Sequence, residues 1–407
     1  MTIADLRRAV LILLAALAMG WAVAARAADP APVILISIDG FRADYLGRGL
    51  SPNLAALAAG GVRAERMIPA FPSITFPNHY TLVTGLYPDH HGIVANSFED
   101  ARRPGAVFTM ASKDEAWWNQ ALPLWITAER QGLKTGEMFW PGSEVAFAGT
   151  RPSYWAPYDK TLPEPARVDR LLGWLDLPPD RRPRFLTLYF EAVDTAGHAF
   201  GPDSPEVDAA IARVDAAIGR LMGGLKARGV AADLIVVSDH GMSEVSPGHT
   251  LLLDRLTDLA GVHVAFGGVL LGVDVDDTPA GRAARARLLQ PHDHLTCWDR
   301  AAIPARYHYG SNPRIPAVVC LAERGWMVET QAQASRRRAP MRGEHGYDIS
   351  DPEMGALFVA NGPAFRQGLV IPPFPNVDVY PLLTAILGVT PEANDGRLAD
   401  LRPILAR

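Results

Sequence analysis

The sequence predicts an α/β fold with a central, mostly parallel sheet flanked by helices. The first observation is a set of apolar runs that an aspartate follows within four residues: VILISI before Asp39, FLTLYF before Asp194 and LIVV before Asp239. Runs of this kind are typical of parallel strands that are buried on both faces. The second observation is the segment between the last two runs, where apolar residues recur every three or four positions, as in an amphipathic helix. Strand, helix and strand in this order predict a βαβ crossover.

The composition bounds the domain organisation and the possible partners. Of the 407 residues 48% are hydrophobic and 20% charged, and the net charge is -5, as in an ordinary globular protein. The sequence has no long basic run of the kind that binds phosphate backbones, so a nucleic-acid polymer is not indicated as partner. We expect one catalytic domain over 28–407, with an aromatic-rich insert at about 97–184 and a small α/β insert at about 244–342.

The N-terminus has the features of an export signal. Two arginines precede an apolar run, and Ala25-Arg26-Ala27 fits a small-residue cleavage site. The run is short for a membrane span, so we expect residues 1–27 to be a cleaved signal peptide rather than an anchor. This predicts a periplasmic or secreted protein without a stable membrane anchor after cleavage, and leaves Sec and twin-arginine export open. Export also permits a disulfide between Cys297 and Cys320, which spacing alone cannot establish.

The aspartates that follow the strands belong to a set of candidate metal ligands. Open α/β sheets bind ligands outside the carboxyl ends of their strands, where these side chains would meet. Asp194 lies four residues before His198, so that both can face one point from a helical turn. Mixed Asp and His ligands suit zinc, and six ligands would make two three-ligand sites with open positions. The candidates are Asp39, Asp194, His198, Asp239, His240 and His345.

We expect the remaining histidines to be hydrogen-bonded residues of the core or of loops rather than ligands. These are His79, His90, His91, His249, His263 and His308, together with His292 and His294, which we interpret as part of a polar loop.

Thr75 is a candidate nucleophile. It lies between Pro72 and Pro77, close to the expected start of a helix. A threonine hydroxyl is a weak nucleophile, but a divalent ion beside it lowers its pKa, and the positive end of a helix also favours the alkoxide. Two ions would suit an in-line phosphoryl displacement, after which water would release the phosphothreonine.

These motifs carry a family resemblance. The stretches ISIDGFRADYL, FPSITFPNHYTLVTGLYPDHHGIVAN, DTAGH, SDHGM and GEHGYD resemble the nucleotide pyrophosphatase/phosphodiesterase family of the alkaline phosphatase superfamily. They occur in the same order over nearly the whole chain after the signal. The resemblance implies an alkaline-phosphatase-like core, two zinc ions and a metal-dependent phosphoric diester hydrolase.

The resemblance also implies a role for each matching ligand. Thr75 matches the nucleophile, which also binds the zinc on its side. The further ligands of that zinc match Asp39, Asp239 and His240, and those of the other zinc match Asp194, His198 and His345. Val193 departs from the proline that many members have before the ligand aspartate, which removes no ligand.

Further residues match substrate contacts of the family. Asn96 matches the asparagine that hydrogen-bonds a phosphate oxygen. Phe76 and Tyr189 match aromatic residues that enclose a nucleotide base. Independently of the resemblance, the segment PSYWAPYD indicates Tyr158 as a residue that could line the substrate pocket.

A charge count favours diesters over monoesters. Two zinc ions bring +4 and three aspartates -3, so the site with a Thr75 alkoxide is neutral before substrate binds. A diester adds one negative charge and a monoester up to two, and no arginine accompanies Asn96. We therefore expect a nucleotide or another small phosphodiester as substrate, with release of a nucleoside monophosphate from nucleotides.

Other functions stay open at this point. The substrate could be a lipid-headgroup or other non-nucleotide diester, and a phosphomonoesterase or sulfatase of the same superfamily is a second possibility. Sulfatases use a modified Cys or Ser, whereas the nucleophile here is Thr75. An exported solute-binding protein would explain the signal peptide and the sheet, but not six convergent ligands.

Overall fold

The apolar runs predicted as strands lie side by side in the larger of two main sheets. The computed structural model describes residues 30–337 and 339–406, so the predicted signal peptide at 1–27 lies outside the described residues. In chain order the strands of the two main sheets are β1 (Val33–Ile38), β2 (Val62–Ala64), β3 (Thr135–Met138), β4 (Tyr154–Ala156), β5 (Phe185–Phe190), β6 (Asp233–Val237), β7 (Val262–Phe266), β8 (Leu270–Val275), β9 (Leu295–Asp299), β10 (Val318–Ala322), β11 (Phe358–Asn361) and β12 (Leu369–Ile371).

The larger sheet has eight strands in the order β12-β2-β11-β6-β1-β5-β3-β4. The strand β1 runs parallel to both of its neighbours, β5 and β6. The strand β11 is antiparallel to its two neighbours, and the remaining pairs are parallel. The sheet is therefore mostly parallel, as the sequence predicted.

Helices pack against the two main sheets. Those of seven residues or more are α1 (Pro52–Ala59), α2 (Thr75–Thr84), α3 (Leu124–Arg130), α4 (Glu164–Leu175), α5 (Ala192–Phe200), α6 (Pro205–Ala227), α7 (Pro279–Leu288) and α8 (Val379–Leu387). The predicted amphipathic helix is α6, whose apolar side chains at the expected positions are buried. It connects β5 to β6 across β1, which confirms the βαβ crossover.

The two faces of the larger sheet pack into separate apolar clusters. Along β1, Val33 and Leu35 belong to one cluster, whereas Ile34 and Ile36 belong to the other. All residues of β1, β5 and β6 are buried, which explains why these strands appear in the sequence as continuous apolar runs. Full burial of a side chain of this size contributes about 1.5–3 kcal/mol relative to its exposure.

A second, antiparallel sheet has the order β7-β8-β10-β9 and its own apolar cluster. It lies within the predicted insert at about 244–342. Cys297 on β9 and Cys320 on β10 are direct cross-strand neighbours and form a disulfide. The structure thus joins two cysteines whose pairing the sequence left open.

The predicted aromatic-rich insert at about 97–184 is partly continuous with the larger sheet, unlike the second insert. It contains β3 and β4, which extend the larger sheet beyond β5.

The shorter strands form the pairs Met67–Ile68 with Phe374–Pro375, Phe98–Glu99 with Val107–Phe108, Ser243–Glu244 with Gly343–Glu344, and Thr250–Leu252 with Met327–Glu329. Among residues 30–337 and 339–406, no helix has the length and apolar character that crossing a bilayer requires.

Candidate metal centre

Three aspartates meet at the carboxyl edge of the larger sheet. Asp39 directly follows β1, Asp239 follows β6 after one residue, and Asp194 is the third residue of α5. The Asp39 N–H donates to the Phe190 carbonyl at 2.9 Å, and the Asp194 N–H donates to the Asp39 carbonyl at 3.1 Å. Gly40 permits this approach, because its φ is +67° and a Cβ there would lie 2.9 Å from the Asp194 Cα. The local backbone therefore fixes where two of the carboxylates project.

The first ligand cluster consists of Asp194, His198 and His345. The Asp194 Oδ1 lies 3.3 Å from the His198 Nε2 and 3.6 Å from the His345 Nε2. The Nδ1 of His198 lies 2.9 Å from the Gly343 carbonyl, and the Nδ1 of His345 lies 3.1 Å from the Ser73 carbonyl. With Nδ1–H donating to a carbonyl, each ring directs Nε2 to the centre of the cluster, as in metal-binding histidines.

The second cluster contains Asp39, Asp239, His240 and Thr75. The His240 Nε2 lies 2.9 Å from the Asp239 Oδ2, 3.5 Å from the Asp39 Oδ1 and 3.3 Å from the Thr75 Oγ1. The His240 Nδ1 is 2.9 Å from the Gly241 carbonyl, so this ring too can donate from Nδ1 and face inward with Nε2. The structure therefore brings together all the side chains that the sequence indicated for this site.

The two clusters adjoin each other. Potential ligand atoms of Asp39, Asp194 and His240 lie within 4.8 Å of one another, although the resemblance assigns Asp194 to the other zinc. The rings of His240 and His345 stack with centroids 3.5 Å apart and 12° between their planes. The arrangement is suited to two neighbouring ions.

Unsatisfied carboxylate oxygens support a metal at these clusters. The Asp39 Oδ1, Asp194 Oδ1 and Asp239 Oδ2 are buried and accept no hydrogen bond. A buried acceptor without a partner costs about 1–3 kcal/mol, and more when it is charged. A divalent cation would satisfy all three oxygens, and the mixed Asp and His donors suit zinc. The residues present therefore fit the predicted ions.

The pKa shifts also show how strongly the bare side chains interact. Burial, followed by the neighbouring carboxylates, raises the pKa of Asp39 well above its usual range. Burial opposes the charge of Asp194, but His198 outweighs it and lowers the pKa of Asp194 to about 2. The same pairing raises the pKa of His198 to about 10 against the effect of burial. Burial, and then the charge of His240, lowers the pKa of His345 to about 3. Opposite shifts among adjacent groups are typical of a functional site.

Thr75 is the first residue of α2, as the sequence predicted, and is 9% exposed. Ile74 precedes the helix without a side-chain cap, so the positive end of the helix is open at Thr75. Pro77 occupies the first turn, where its missing N–H is tolerated. The backbone thus presents the hydroxyl to His240 from a rigid element.

Asn96 is held against the same helix end. Its Oδ1 accepts the Phe76 N–H at 2.8 Å, which leaves Nδ2 as a donor. Asn96 lines the cavity that contains Thr75. This amide orientation is the one that a phosphate contact from Asn96 requires.

His79 lies closer to the candidate metal ligands than the sequence indicated. It is buried, its Nε2 lies 2.8 Å from the Ser37 Oγ and its Nδ1 2.9 Å from the Thr75 carbonyl, so it is a hydrogen-bonded core residue as predicted. Its Nδ1 also lies 3.3 Å from the Asp239 Oδ2, and potential ligand atoms of Asp39, His79 and Asp239 group within 4.8 Å. The four-residue spacing from Thr75 on one helix was the signal that could have revealed this proximity.

A cavity of about 380 Å³ opens beside the clusters. Among its wall residues are Asp39, Thr75, Phe76, Asn96, Met110, Lys113, Trp118, Phe139, Trp140, Glu144, Tyr158, Tyr189, Glu191, Asp194, His198 and His345. The wall therefore combines candidate ligands with several aromatic side chains. Such a cavity suits a ligand with a charged end and a flat apolar end.

The aromatic residues predicted to bind substrate differ in their surroundings. Tyr158 is 47% exposed, and its ring contacts Phe139 at 5.4 Å. Phe76 is partly buried and lies 6.0 Å from Trp118. Tyr189 is only 8% exposed, and its hydroxyl donates to the Asp39 Oδ2 at 2.5 Å. All three predicted aromatics line the cavity, but Tyr189 is also bonded to a candidate metal ligand.

Two ion pairs that involve residues of the cavity wall, namely Lys113, Glu144 and Glu191, were not foreseen from sequence. The Lys113 Nζ lies 2.5 Å from the Glu144 Oε2, and the Arg167 guanidinium donates two hydrogen bonds to the Glu191 carboxylate. Each cation is thus balanced by an acidic partner. The charge count that favoured diesters is therefore unchanged by these side chains.

Comparison with known proteins decides the family. Residues 33–348 match the family described as type I phosphodiesterase / nucleotide pyrophosphatase. The chain belongs to this family. It is accordingly a hydrolase, as the motifs predicted.

Relatives in the type I phosphodiesterase family are similar over most of the chain. An uncharacterized pyrophosphatase/phosphodiesterase of Schizosaccharomyces pombe is 40% identical over 390 residues, which are 91% of this chain and 80% of that protein. Bis(5'-adenosyl)-triphosphatase enpp4 of Xenopus laevis is 37% identical over 385 residues, 92% of this chain and 81% of the relative. Human ectonucleotide pyrophosphatase/phosphodiesterase family member 1 is 37% identical over 388 residues, 92% of this chain. That match spans only 42% of the human protein's length.

Solved structures of the family confirm the fold. Murine ectonucleotide pyrophosphatase / phosphodiesterase 5 matches with a TM-score of 0.87 and 32% identity, covering 92% of this chain and 100% of that one. A second structure of the murine protein, with the same TM-score and coverage, is an inactive threonine-to-alanine variant in complex with AMP.

Proposed function

We propose that this protein hydrolyses phosphodiester and pyrophosphate bonds of nucleotides, releases a nucleoside monophosphate, and forms at Thr75 a covalent phosphothreonine whose phosphate still carries the nucleoside. The observation that carries the proposal is the Thr75 hydroxyl at an open helix N-terminus, beside His240 and the two ligand clusters, in the wall of an aromatic cavity. Nucleotide substrates also fit the activity for which the Xenopus relative is named and the AMP bound to the murine structural neighbour.

Two zinc ions are the cofactors we propose. Asp194, His198 and His345 would hold one, and Asp39, Asp239, His240 and the Thr75 oxygen the other; these groups and their unsatisfied oxygens support the assignment. Bound zinc would lower the pKa of the Thr75 hydroxyl and stabilise charge on the transferring phosphoryl group.

In the first step the Thr75 Oγ1 attacks phosphorus. A bond forms between Oγ1 and phosphorus, the bond to the leaving alcohol or phosphate breaks, and the threonine proton is released. The second step reverses this geometry, since water attacks phosphorus in line and the Thr75 oxygen departs. Water thereby supplies the hydroxyl of the released monophosphate, and Thr75 regains its proton.

Asn96 and the aromatic wall position the substrate. The Asn96 Nδ2 donates to a non-bridging phosphate oxygen, while its Oδ1 stays on the Phe76 N–H. Phe76 and the more exposed Tyr158 both line the cavity and would flank a base, and stacking of this kind contributes about 1–3 kcal/mol per base. Tyr189 contributes through its hydroxyl to Asp39 as well as through its ring.

A substrate panel with trapping of the intermediate tests the proposal. Purified protein is assayed with a nucleoside triphosphate, a dinucleotide, a chromogenic nucleotide diester, its monoester and a lysophospholipid. We expect the nucleotide diester to give the highest kcat/KM and nucleoside monophosphate to be the product. Acid quenching followed by peptide mass analysis should place a nucleoside monophosphoryl group on Thr75. A preferred monoester would contradict the diesterase reading, and a preferred lysophospholipid would replace the nucleotide as substrate.

We also propose that the protein is exported through the segment 1–27 to the periplasm or the exterior. The Cys297–Cys320 disulfide supports an oxidising compartment. N-terminal sequencing of protein expressed with its full N-terminus should give Ala28 as the first residue after cleavage at Ala27. An intact N-terminus would contradict the cleavage.

A further inference from the structure

The loop that carries Asn96 is held by a short segment of the second insert. We name residues 89–100 the Asn96 loop and residues 309–314 the clamp segment. At one end of the loop, the Asp89 carboxylate accepts hydrogen bonds from the backbone N–H groups of Gly310, Ser311 and Asn312 at 2.8–3.0 Å. The loop and the clamp segment are thus joined although more than 200 residues separate them in sequence.

Closer to Asn96, the clamp segment binds the loop through Tyr309. The Tyr309 hydroxyl donates to the Val94 carbonyl at 3.0 Å, only two residues before Asn96. Tyr309 is 6% exposed, and its ring packs edge-on against Phe71. The hydrogen bond therefore lies in a site that water rarely reaches, where its loss is felt in full.

Arg314 fastens both the loop and the neighbouring cavity wall. Its side chain is 1% exposed, and its Nε donates to the Asp100 Oδ2 at 2.8 Å. Its Nη1 donates to the carbonyls of Gly92 at 2.8 Å and Trp117 at 2.6 Å. Gly92 is needed for this approach, since a Cβ there would lie 2.9 Å from the Arg314 Nη1. One planar guanidinium thus ties together the two ends of the Asn96 loop.

The Asn96 loop also contacts the residue next to the candidate nucleophile. The Asn96 Oδ1 accepts the N–H of Phe76, the residue directly after Thr75. A shift of the loop would therefore move the Asn96 Nδ2 relative to Thr75, while the candidate metal ligands lie on other elements. Misplacement of such a group by about 1 Å can cost about a hundredfold in rate.

We propose that Tyr309 and Arg314 are positioning residues that act through Asn96 on phosphoryl transfer. The inference rests on the proposed function, because it takes Asn96 as the phosphate contact. It assigns to the second insert a part in catalysis, although the insert's own sheet lies outside the cavity wall. The predicted consequence is a loss in kcat with little change in KM.

A double-mutant cycle tests this coupling. Steady-state kinetics on a base-free diester are measured for Tyr309→Phe and Arg314→Lys, each alone and combined with Asn96→Ala. We expect kcat to fall about three- to tenfold for Tyr309→Phe and about ten- to a hundredfold for Arg314→Lys, with no further fall in the Asn96→Ala background. Tyr307→Phe is the matched control, since Tyr307 also packs on Phe71 but donates its hydroxyl to Asp348 instead of the loop.

The outcomes separate the inference from the proposed function. The inference would be overturned if kcat fell equally with and without the Asn96 side chain, or if kcat did not fall at all. If Arg314→Lys fails to fold, the result for Tyr309→Phe alone decides. A wild-type protein without Thr75-dependent hydrolysis would refute the proposed function instead. In that case amide hydrogen exchange in peptides spanning 89–100 decides. Faster exchange in Tyr309→Phe but not in Tyr307→Phe supports the clamp, and unchanged exchange removes it.

Discussion

At the scale of single residues, backbone atoms orient the side chains of the candidate site. Each inward-facing histidine of the two clusters has its outer ring nitrogen close to a backbone carbonyl. Thr75 needs no side-chain cap, because the open helix end favours a negative oxygen. Substitutions at this scale should therefore separate chemistry from folding.

Thr75→Ala should nearly abolish turnover while metal content and thermal stability stay close to wild type, because it removes the nucleophile but leaves Asp39, Asp239 and His240 to hold the ion, and it shortens only one small buried side chain. Thr75→Ser should retain part of the activity, since it keeps the hydroxyl. Initial rates on a nucleotide diester, with circular dichroism as the folding control, measure both. More than about a tenth of the wild-type rate in Thr75→Ala would exclude covalent catalysis at this residue.

Two tyrosines in the cavity should have different kinetic effects. Tyr158→Ala removes a largely exposed ring and should raise KM about ten- to a hundredfold for a nucleotide diester, but hardly at all for a base-free one. Tyr189→Phe removes the hydroxyl that donates to Asp39 and should lower kcat about three- to tenfold for both substrates. Parallel kinetics on the two diesters check this. If Tyr189→Phe weakened only the nucleotide diester and Tyr158→Ala had no effect, Tyr189 and not Tyr158 would be the residue that binds the base.

At the scale of elements, the sequence predicted the strands and helices that carry the candidate ligands, because their periodicity is local. The runs before Asp39 and Asp194 match β1 and β5 residue for residue, and α2 begins at Thr75. The sequence could not show that β3 and β4 extend the larger sheet, since sheet order depends on long-range packing. Nor could it show the clamp on the Asn96 loop, whose bonds join segments far apart in the chain.

One strand of the sheet carries a carboxyl group that should make stability depend on pH. Glu137 on β3 is fully buried, and its Oε2 accepts a hydrogen bond from the Thr187 hydroxyl at 2.6 Å while Oε1 has no donor. Burial raises the pKa of Glu137 from 4.5 to about 8. Below pH 4.5 both the folded and the unfolded chain hold this proton, so the contribution to stability is fully present. As the pH rises towards 8 the unfolded chain alone releases it, and stability is lost by up to about 1.4 kcal/mol per pH unit.

Glu137→Gln should remove this dependence, because the amide stays neutral at every pH. Denaturant unfolding between pH 5 and 9 should show the variant gaining stability relative to wild type up to about pH 8 and then levelling off. The exposed Glu65→Gln serves as a control for the loss of one acidic group. Parallel stability curves for wild type and Glu137→Gln would contradict the prediction.

At the scale of the whole molecule, the fold brings together the six Asp and His candidate ligands from four separate stretches of chain. The carboxyl ends of β1, β5 and β6 supply three of them, and His345 arrives after the second insert. The sequence motifs predicted these candidate ligands because each motif is compact, whereas the residues of the cavity wall were only partly foreseen. Lys113 and Glu144 face each other there through tertiary packing that no local pattern encodes.

The convergence of buried carboxylates also predicts that metal and stability are linked. Without a cation, three buried carboxylate oxygens lack partners, so ions that bind only the folded chain should stabilise it. We expect close to two zinc equivalents after metal-free dialysis, and chelation should abolish activity and lower Tm by several degrees. His198→Ala, which removes a ligand of the first cluster alone, should lose about one equivalent, and the distant, exposed His90→Ala should lose none. Elemental analysis with thermal unfolding measures these quantities. Less than half an equivalent in wild type, with activity that survives chelation, would show that the clusters work without zinc.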